Sequence, residues 1–234
     1  MRISLPTFLV VTLVMPTFAQ NLTTLDDPIR EEVRIDNPRF LHPCAGGMAV
    51  DQIARAAHVL VGFENTEDCA PGPRSLKAGP DSESISGISA RLAFDRWIVS
   101  RPMYSWKPLN GVVVLRPTTA WANADNVLNQ TVQPFKVTNE HVDDILHTAL
   151  RAATPSLFIP HEDVPMRGTL ASHSMTVAFA GGTLLDALNA IVLAHGGAEW
   201  EVGYTGDRAH IVVSTVAFPK DGVMAPAALP QSHR

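Results

Sequence analysis

Nine histidines are the side chains of this sequence best suited to binding a metal or moving protons near neutral pH. His141 and His147 are six residues apart on a predicted helix, which spreads them around it, and the sequence lacks the H-E-x-x-H motif of helical metal ligands. A His-Glu-Asp run at 161–163 could at most bind a cation weakly. We therefore predict no metal, no cofactor and no catalytic residue, and we expect the histidines to lie on the surface.

Two cysteines, Cys44 and Cys69, allow either a disulfide or a redox pair. A single disulfide is the simpler interpretation for an exported chain, and redox chemistry is disfavoured because no C-x-x-C spacing lowers a thiol pKa. Export is predicted from residues 1–19, where Arg2 precedes an apolar run and Thr17-Phe18-Ala19 resembles a signal-peptidase site. We expect cleavage after Ala19 and a periplasmic or secreted protein.

The charge balance limits the classes of partner. The formal net charge of −5 and the absence of a cluster of Lys and Arg argue against nucleic acid, which requires concentrated positive charge. No apolar stretch beyond the signal reaches spanning length, so we predict no integral membrane segment after signal removal. An envelope protein is the expected partner.

Three tryptophans are candidates for a ligand-facing surface: Trp106, Trp121 and Trp200. Trp106 and Trp200 occupy matching places in two similar segments. For that reason, packing beneath a hairpin is favoured for this pair over an exposed binding edge. Trp97 matches an isoleucine in the second segment, which indicates a place in the core.

The sequence repeats itself at a nearly constant displacement. Residues 50–57 (VDQIARAA) read again as 142–149 (VDDILHTA), and residues 89–106 read again as 183–200. Two displacements of 92 and 94 residues indicate one module present twice. The predicted fold class is therefore α+β, with two tandem repeats, each a small sandwich of two helices with short strands and a C-terminal β-hairpin.

Local signals define the elements of each module. Ser89 and Thr183 are predicted helix N-caps, Asn110-Gly111 fits a tight hairpin turn, and Gly196-Gly197 ends the last helix. Strands are predicted near residues 84–88 and at 156–159, and a helix is predicted at 139–152. The predicted boundaries are a signal peptide at 1–19, an extended leader at 20–41, a first module at 42–117, a linker at 118–133, a second module at 134–216 and a disordered tail at 217–234.

The second module contains the element G-T-L-x-x-A-L at 182–188, of which the first module keeps Ser89 and Ala93 at the Thr and Ala positions. This motif and the order of elements resemble the short N-terminal domain of secretins and TonB-dependent receptors. The shared order is helix, strand, loop, strand, capped helix and hairpin, over residues 48–117 and 135–216. The resemblance implies a periplasmic, non-enzymatic module that mediates protein contacts in secretion or signalling. We expect no secretin or barrel domain after the two modules, so the resemblance is used for the fold and the compartment, and for the role only as protein contact in general.

The sequence thus favours an exported, non-enzymatic protein-interaction module of the bacterial envelope, whose strand edges pair with a protein partner. The alternative is a periplasmic small-ligand or cell-wall-glycan binding protein that uses a cleft between the modules, lined by Trp106, Trp121 and Trp200. A third hypothesis, a hydrolytic enzyme, would depend on residues 161–163 or His173.

Overall fold

The computed structural model has a mixed α+β fold, with four helices in the part of the chain that it describes. The described residues are 25–36, 46–66, 82–154, 174–205 and 208–215. The helices are α1 (Gly46–Ala57), α2 (Ala90–Val99), α3 (Val142–Arg151) and α4 (Leu184–His195). The strands are β1 (Arg34–Asp36), β2 (Leu60–Glu64), β3 (Ser82–Ser84), β4 (Tyr104–Leu109), β5 (Val112–Pro117), β6 (Thr131–Val132), β7 (Phe135–Glu140), β8 (Ala153–Thr154), β9 (Met175–Phe179), β10 (Gly182–Thr183), β11 (Ala198–Thr205) and β12 (Arg208–Thr215).

A five-stranded sheet forms the centre of the fold, and both the first half (25–117) and the second half (134–215) contribute to it. Its order is β12-β11-β2-β5-β4, so β2 lies between the hairpins β4–β5 and β11–β12. Strand β2 runs parallel to both neighbours, with Gly62 opposite Trp200 on one side and Val114 on the other. The two halves therefore share one sheet and do not form two separate sandwiches.

Helices cover both faces of this sheet. One core lies against α1 and α2, and the other lies against α3 and α4. Strand β5 shows the alternation, because Val113 and Leu115 belong to the first core whereas Val112 and Val114 belong to the second. A strand that is buried on both faces needs apolar residues at successive positions, which explains the uninterrupted Val-Val-Val-Leu run.

Three smaller sheets in the described part of the chain complete the cores, and one of them has the strand order β10-β6-β8. Strand β1 pairs antiparallel with β3, and β7 pairs antiparallel with β9. Ile29 and Ile35, from the segment predicted to be an extended leader, are 3% and 0% exposed in the first core. Over residues 25–36, that segment is thus an integral part of the first half. The segment predicted as a linker is also built into the fold, since Leu128 and Val132 are buried in the second core.

The predicted helix ends and hairpin turn are confirmed. The Ser89 hydroxyl accepts a hydrogen bond from the Leu92 amide, and Thr183 forms a reciprocal capping box with Asp186. Gly196 ends α4 in the left-handed conformation, with φ of 73°. Asn110 and Gly111, both with positive φ, form the turn between β4 and β5.

Two predicted boundaries were wrong. A strand was expected near residues 84–88, but β3 ends at Ser84 because Gly87, with φ of 79°, turns the chain toward α2. A helix was expected from Asn139, but α3 begins at Val142 because residues 135–140 pair with β9 as strand β7. Asn139, with φ of 57°, lies within a bulge of that strand.

Several predictions concern residues outside the described part of the chain. These are the signal peptide at 1–19, a strand at 156–159, the tail at 217–234, and Cys44 and Cys69 with their disulfide. Among the described residues, the longest helices have 12 residues, fewer than the roughly 20 that a bilayer span requires.

Gly62 provides a first test of the shared sheet. A Cβ at this position would lie 2.0 Å from Cε2 of the buried Trp200 ring, so Gly62→Ala forces the two halves apart. We expect a loss of about 1–3 kcal/mol or more in the free energy of unfolding, measured by urea denaturation.

Gly203→Ala is the matched control, because nothing lies within 4 Å of a Cβ at that β11 position. It should change the free energy of unfolding by less than about 0.5 kcal/mol. Equal effects of the two substitutions would contradict the close packing of Trp200 on β2.

Candidate functional site

The most unusual group of side chains is a polar cluster at one end of the central sheet, made of Glu64, Arg116, Asn126, Asn129 and Tyr204. Glu64, Arg116 and Tyr204 lie at or next to the carboxyl ends of β2, β5 and β11. These three strands are parallel to one another, so their carboxyl ends meet at the same edge of the sheet. Ligands of open α/β sheets bind at such edges, so a ligand site would be expected at this end of the sheet.

A buried ion pair forms the centre of the polar cluster. Arg116 Nε donates to Glu64 Oε2 at 2.6 Å, and both side chains are 0% exposed. The second oxygen, Glu64 Oε1, accepts hydrogen bonds from the Tyr204 hydroxyl at 2.7 Å and from the Asn126 amide. Both carboxylate oxygens are therefore occupied by donors from within the protein.

The remaining nitrogens of the guanidinium are occupied as well. Arg116 Nη1 donates to Asn129 Oδ1 at 3.0 Å, and Nη2 donates to Asn126 Oδ1 at 2.7 Å and to the Ala120 carbonyl at 3.3 Å. The Trp121 ring centroid lies 5.1 Å from Arg116 Cζ, within the range of a cation–π contact. Arg116 thus joins β5 to the segment that follows it.

That segment is folded by its own amide side chains. Asn126 Oδ1 also accepts from the Leu128 amide, which caps the short 3-10 turn Val127–Asn129. Asn129 Nδ2 donates to the carbonyls of Ala120 and Asn123 at 2.8 and 2.7 Å. The chain between the two halves is therefore fixed in place by the same amide side chains that form hydrogen bonds with the ion pair.

The electrostatics of the polar cluster are those of a group that holds strands together. Burial, followed by the hydrogen bond to Glu64, raises the pKa of the Tyr204 hydroxyl above its usual range, so that this phenol remains a donor. With partners already bound to both Glu64 oxygens and to each Arg116 nitrogen, the cluster connects β2, β5, β11 and the intervening segment. Its chemistry is that of holding strands in register.

A second polar group lies on the opposite side of β11, beneath α1. Glu199 Oε1 accepts from the Ser214 hydroxyl at 3.0 Å, and Asp51 and Arg55 of α1 form an ion pair at 2.7 Å nearby. Burial, and then the negative charge of Asp51, raise the pKa of Glu199 to about 7. This carboxyl therefore titrates near neutral pH at the boundary between the first and second halves.

The three candidate tryptophans lie on two different faces of the sheet. Trp200 is 1% exposed in the second core, and its indole N–H donates to Asn189 Oδ1 at 2.8 Å. Half-buried Trp121 packs on that same core, whereas half-buried Trp106 packs against the first core and donates to Asp95. The three rings consequently do not line one cleft. Trp97 is 0% exposed, as expected for a core residue.

The two histidines considered as ligands in the sequence analysis lie on α3 or at its N-cap. His141 occupies the N-cap position of α3 and is exposed, and His147 lies half-buried on the same helix. Within the described ranges, no group of three or more His, Cys, Asp or Glu side chains is placed to hold a metal ion. Residues 161–163 and His173 lie outside those ranges.

Sequence reasoning missed the polar cluster, although a signal was present. Two apolar strands, LVGFE and VVVLRP, carry a charged residue of opposite sign at or near the carboxyl end. A charge that ends a buried run needs a partner, and Glu64 with Arg116 is the pair that this rule would have selected.

Comparisons with known proteins give no match: no family model, curated protein or solved structure matches this chain. The resemblance to the short N-terminal domain of secretins and TonB-dependent receptors therefore stays a prediction. It depends on the motif residues and on the order of elements.

The ion pair leads to a stability prediction. Glu64→Gln keeps the shape of the side chain but leaves the buried Arg116 without a counter-charge, and we expect a loss of about 3–5 kcal/mol in the free energy of unfolding. Asp26→Asn is the control, because the Asp26–Arg91 pair is exposed and water screens its attraction, so its loss should change the free energy of unfolding little. Similar losses from both substitutions would show that the polar cluster does not hold the fold together.

Glu199 leads to a pH prediction. Its pKa is about 7 in the folded chain and about 4.3 in an unfolded one, so folding favours the protonated form and stability falls as pH rises between these values. Glu199→Gln should raise the free energy of unfolding at pH 8 by about 1–2 kcal/mol and flatten its decrease between pH 5 and pH 8. Thermal unfolding at several pH values measures this, with Glu32→Gln at an exposed position as the control. An unchanged pH profile in Glu199→Gln would refute the assignment.

Proposed function

We propose that this chain is an exported, non-enzymatic protein-interaction protein of the bacterial envelope, built from two copies of a module that resembles the short N-terminal domain of secretins and TonB-dependent receptors. The observation that carries the proposal is a hydrogen bond that occurs twice. Trp106 donates its indole N–H to Asp95, and Trp200 donates to Asn189, each bond joining a helix to the first strand of the following hairpin across 11 residues.

The order of elements supports the duplication. The first half runs β1, α1, β2, β3, α2 and then the hairpin β4–β5, and the second half runs β7, α3, β8, β9, α4 and then β11–β12, with the short β10 before α4. In each half, the strand before the first helix pairs antiparallel with the strand after the long connection. The N-caps Ser89 and Thr183 open the second helix of each half.

The way in which the two copies are joined supports a role as one binding unit. Hairpin β11–β12 extends the sheet of the first half through β2, and the polar cluster fixes this arrangement. A rigid, extended sheet presents its edge strands at defined positions. Backbone donors and acceptors on such edges bind an extended segment of another protein without special side chains. The predicted signal sequence is what supports the envelope as the compartment.

An in-cell experiment tests this function. The full chain is expressed in a Gram-negative host with a photo-activated benzophenone amino acid at Val212 on an edge strand, or at the exposed Arg96 on α2 as the control. We expect a mature protein that begins at Gln20 in the envelope fraction, and a discrete cross-linked protein adduct from position 212 that is absent from position 96. Retention of residues 1–19 in the cytoplasm, or identical adducts from the two positions, would contradict the proposal.

A further inference from the structure

The central sheet ends in two edge strands, β4 and β12, and they differ in how they are protected. Strand β4 carries Lys107 and Pro108. Proline removes a backbone donor, and an edge lysine opposes burial beneath another strand, so both residues discourage pairing along this edge. The β4 edge is therefore closed to a further strand.

Strand β12 lacks these protections. Its eight residues pair with β11 without a bulge, from Arg208 opposite Thr205 to Thr215 opposite Ala198. The sequence RAHIVVST contains no proline, lysine or acidic residue, and half of its residues are β-branched. These residues favour extended pairing, so β12 has the composition of an interior strand at the edge of a sheet.

The other edges within the described residues are shorter or interrupted. Strands β1 and β3 have three residues each, and β7 is broken by its bulge between Val137 and Glu140. In the first half, β5 is the counterpart of β12, and β5 has β2 along its outer side. None of the described residues pairs with the outer side of β12.

We infer that β12 pairs antiparallel with β12 of a second copy of this chain, which joins two five-stranded sheets into one sheet of ten strands. The strand is complementary to itself when the two-fold axis passes beside Val212. His210 then lies opposite Ser214 of the other copy, and Ile211 lies opposite its Val213. Each pair occurs twice, as a symmetric interface requires, and β-branched residues meet β-branched residues.

The charges on and near β12 favour a second copy of this chain as its binding partner. No like charges oppose each other across the paired strands, because residues 209–215 contain no acidic, lysine or arginine residue. The nearest acidic side chains on the same face, Glu199 and Glu201, lie on β11. Three strand spacings separate them from their copies, about 14 Å, which exceeds the screening length of about 10 Å at 0.1 M salt.

The apolar side chains of the strand are already buried within each copy. Ile211 and Val213 are 1% and 4% exposed in the second core, on the face covered by α3 and α4. The gain from pairing therefore comes from the backbone hydrogen bonds along the strand edge. This inference rests on the proposed function of protein contact through a strand edge, and it names both the edge and the partner.

The experiment measures the mass of the purified mature chain by sedimentation equilibrium. We expect a wild-type dimer. Val212→Lys should raise the dissociation constant roughly tenfold or more, because it places two lysines opposite each other at the axis. Within each chain, the same lysine faces Glu201 of β11 and is compatible with folding, which circular dichroism checks. Pro108→Lys on the β4 edge is the matched control and should leave the dimer unchanged.

A second measurement tests which residues of the two β12 strands lie opposite each other. Mixing Val212→Lys with Val212→Glu should restore a dimer containing one of each, because opposite charges then meet at the axis. A wild-type chain that is monomeric at its highest soluble concentration overturns the inference, and so does a dimer that Val212→Lys leaves intact. An in-cell adduct with a different protein, together with a monomer in solution, would retain the proposed function and reject self-pairing.

Discussion

The buried ion pair between Glu64 and Arg116 is the interaction on which the arrangement of this fold depends. Two charges removed from water cost several kcal/mol each unless their remaining donors and acceptors are also bonded. Neither β2 nor β5 supplies those bonds, which come from Tyr204 on β11 and from Asn126 and Asn129 in the connecting segment. The second half supplies one of these bonds through Tyr204, and its packing keeps water away from the pair, so the two halves stabilise each other.

The contact between β2 and β11 depends on close packing as well as on the ion pair. Trp200 lies directly over Gly62, and the Asn65 amide donates to the Val202 carbonyl at 2.6 Å just beyond the paired strands. A strand displaced by one residue would turn its side chains to the opposite face. Trp200 would then leave the second core and lose Asn189 as its partner. The register of the shared sheet is thus fixed at its carboxyl end by the Glu64–Arg116 ion pair. Between β2 and β11 it is fixed by the packing of the Trp200 ring on Gly62.

Local sequence was enough to predict most elements, because their determinants lie within a few residues. Ser89 and Thr183 satisfy amides three residues ahead, and Asn110-Gly111 supplies the positive φ of a tight turn. The sharing of the sheet was not predictable in this way. Glu64 and Tyr204 are 140 residues apart, and no pattern near either residue indicates the other. The repeat itself favoured two separate sandwiches, since it gives both halves the same elements and does not encode the contact between them.

The proposed duplication relates the polar cluster to the β12 edge, because it places corresponding strands of the two halves in different sheets. Strand β2 lies beside β5 in the first half, whereas its counterpart β8 pairs with β6, which belongs to the connecting segment held by Asn126 and Asn129. Hairpin β11–β12 pairs instead with β2, through β11. In the proposed duplication, the two hairpins therefore both pair with β2, and the polar cluster holds these strands together. Among the described residues, no counterpart of β2 lies beside β12, so the outer side of β12 has no described neighbour. In the proposed duplication, the asymmetry that joins the two copies therefore also leaves the edge to which we assign a partner.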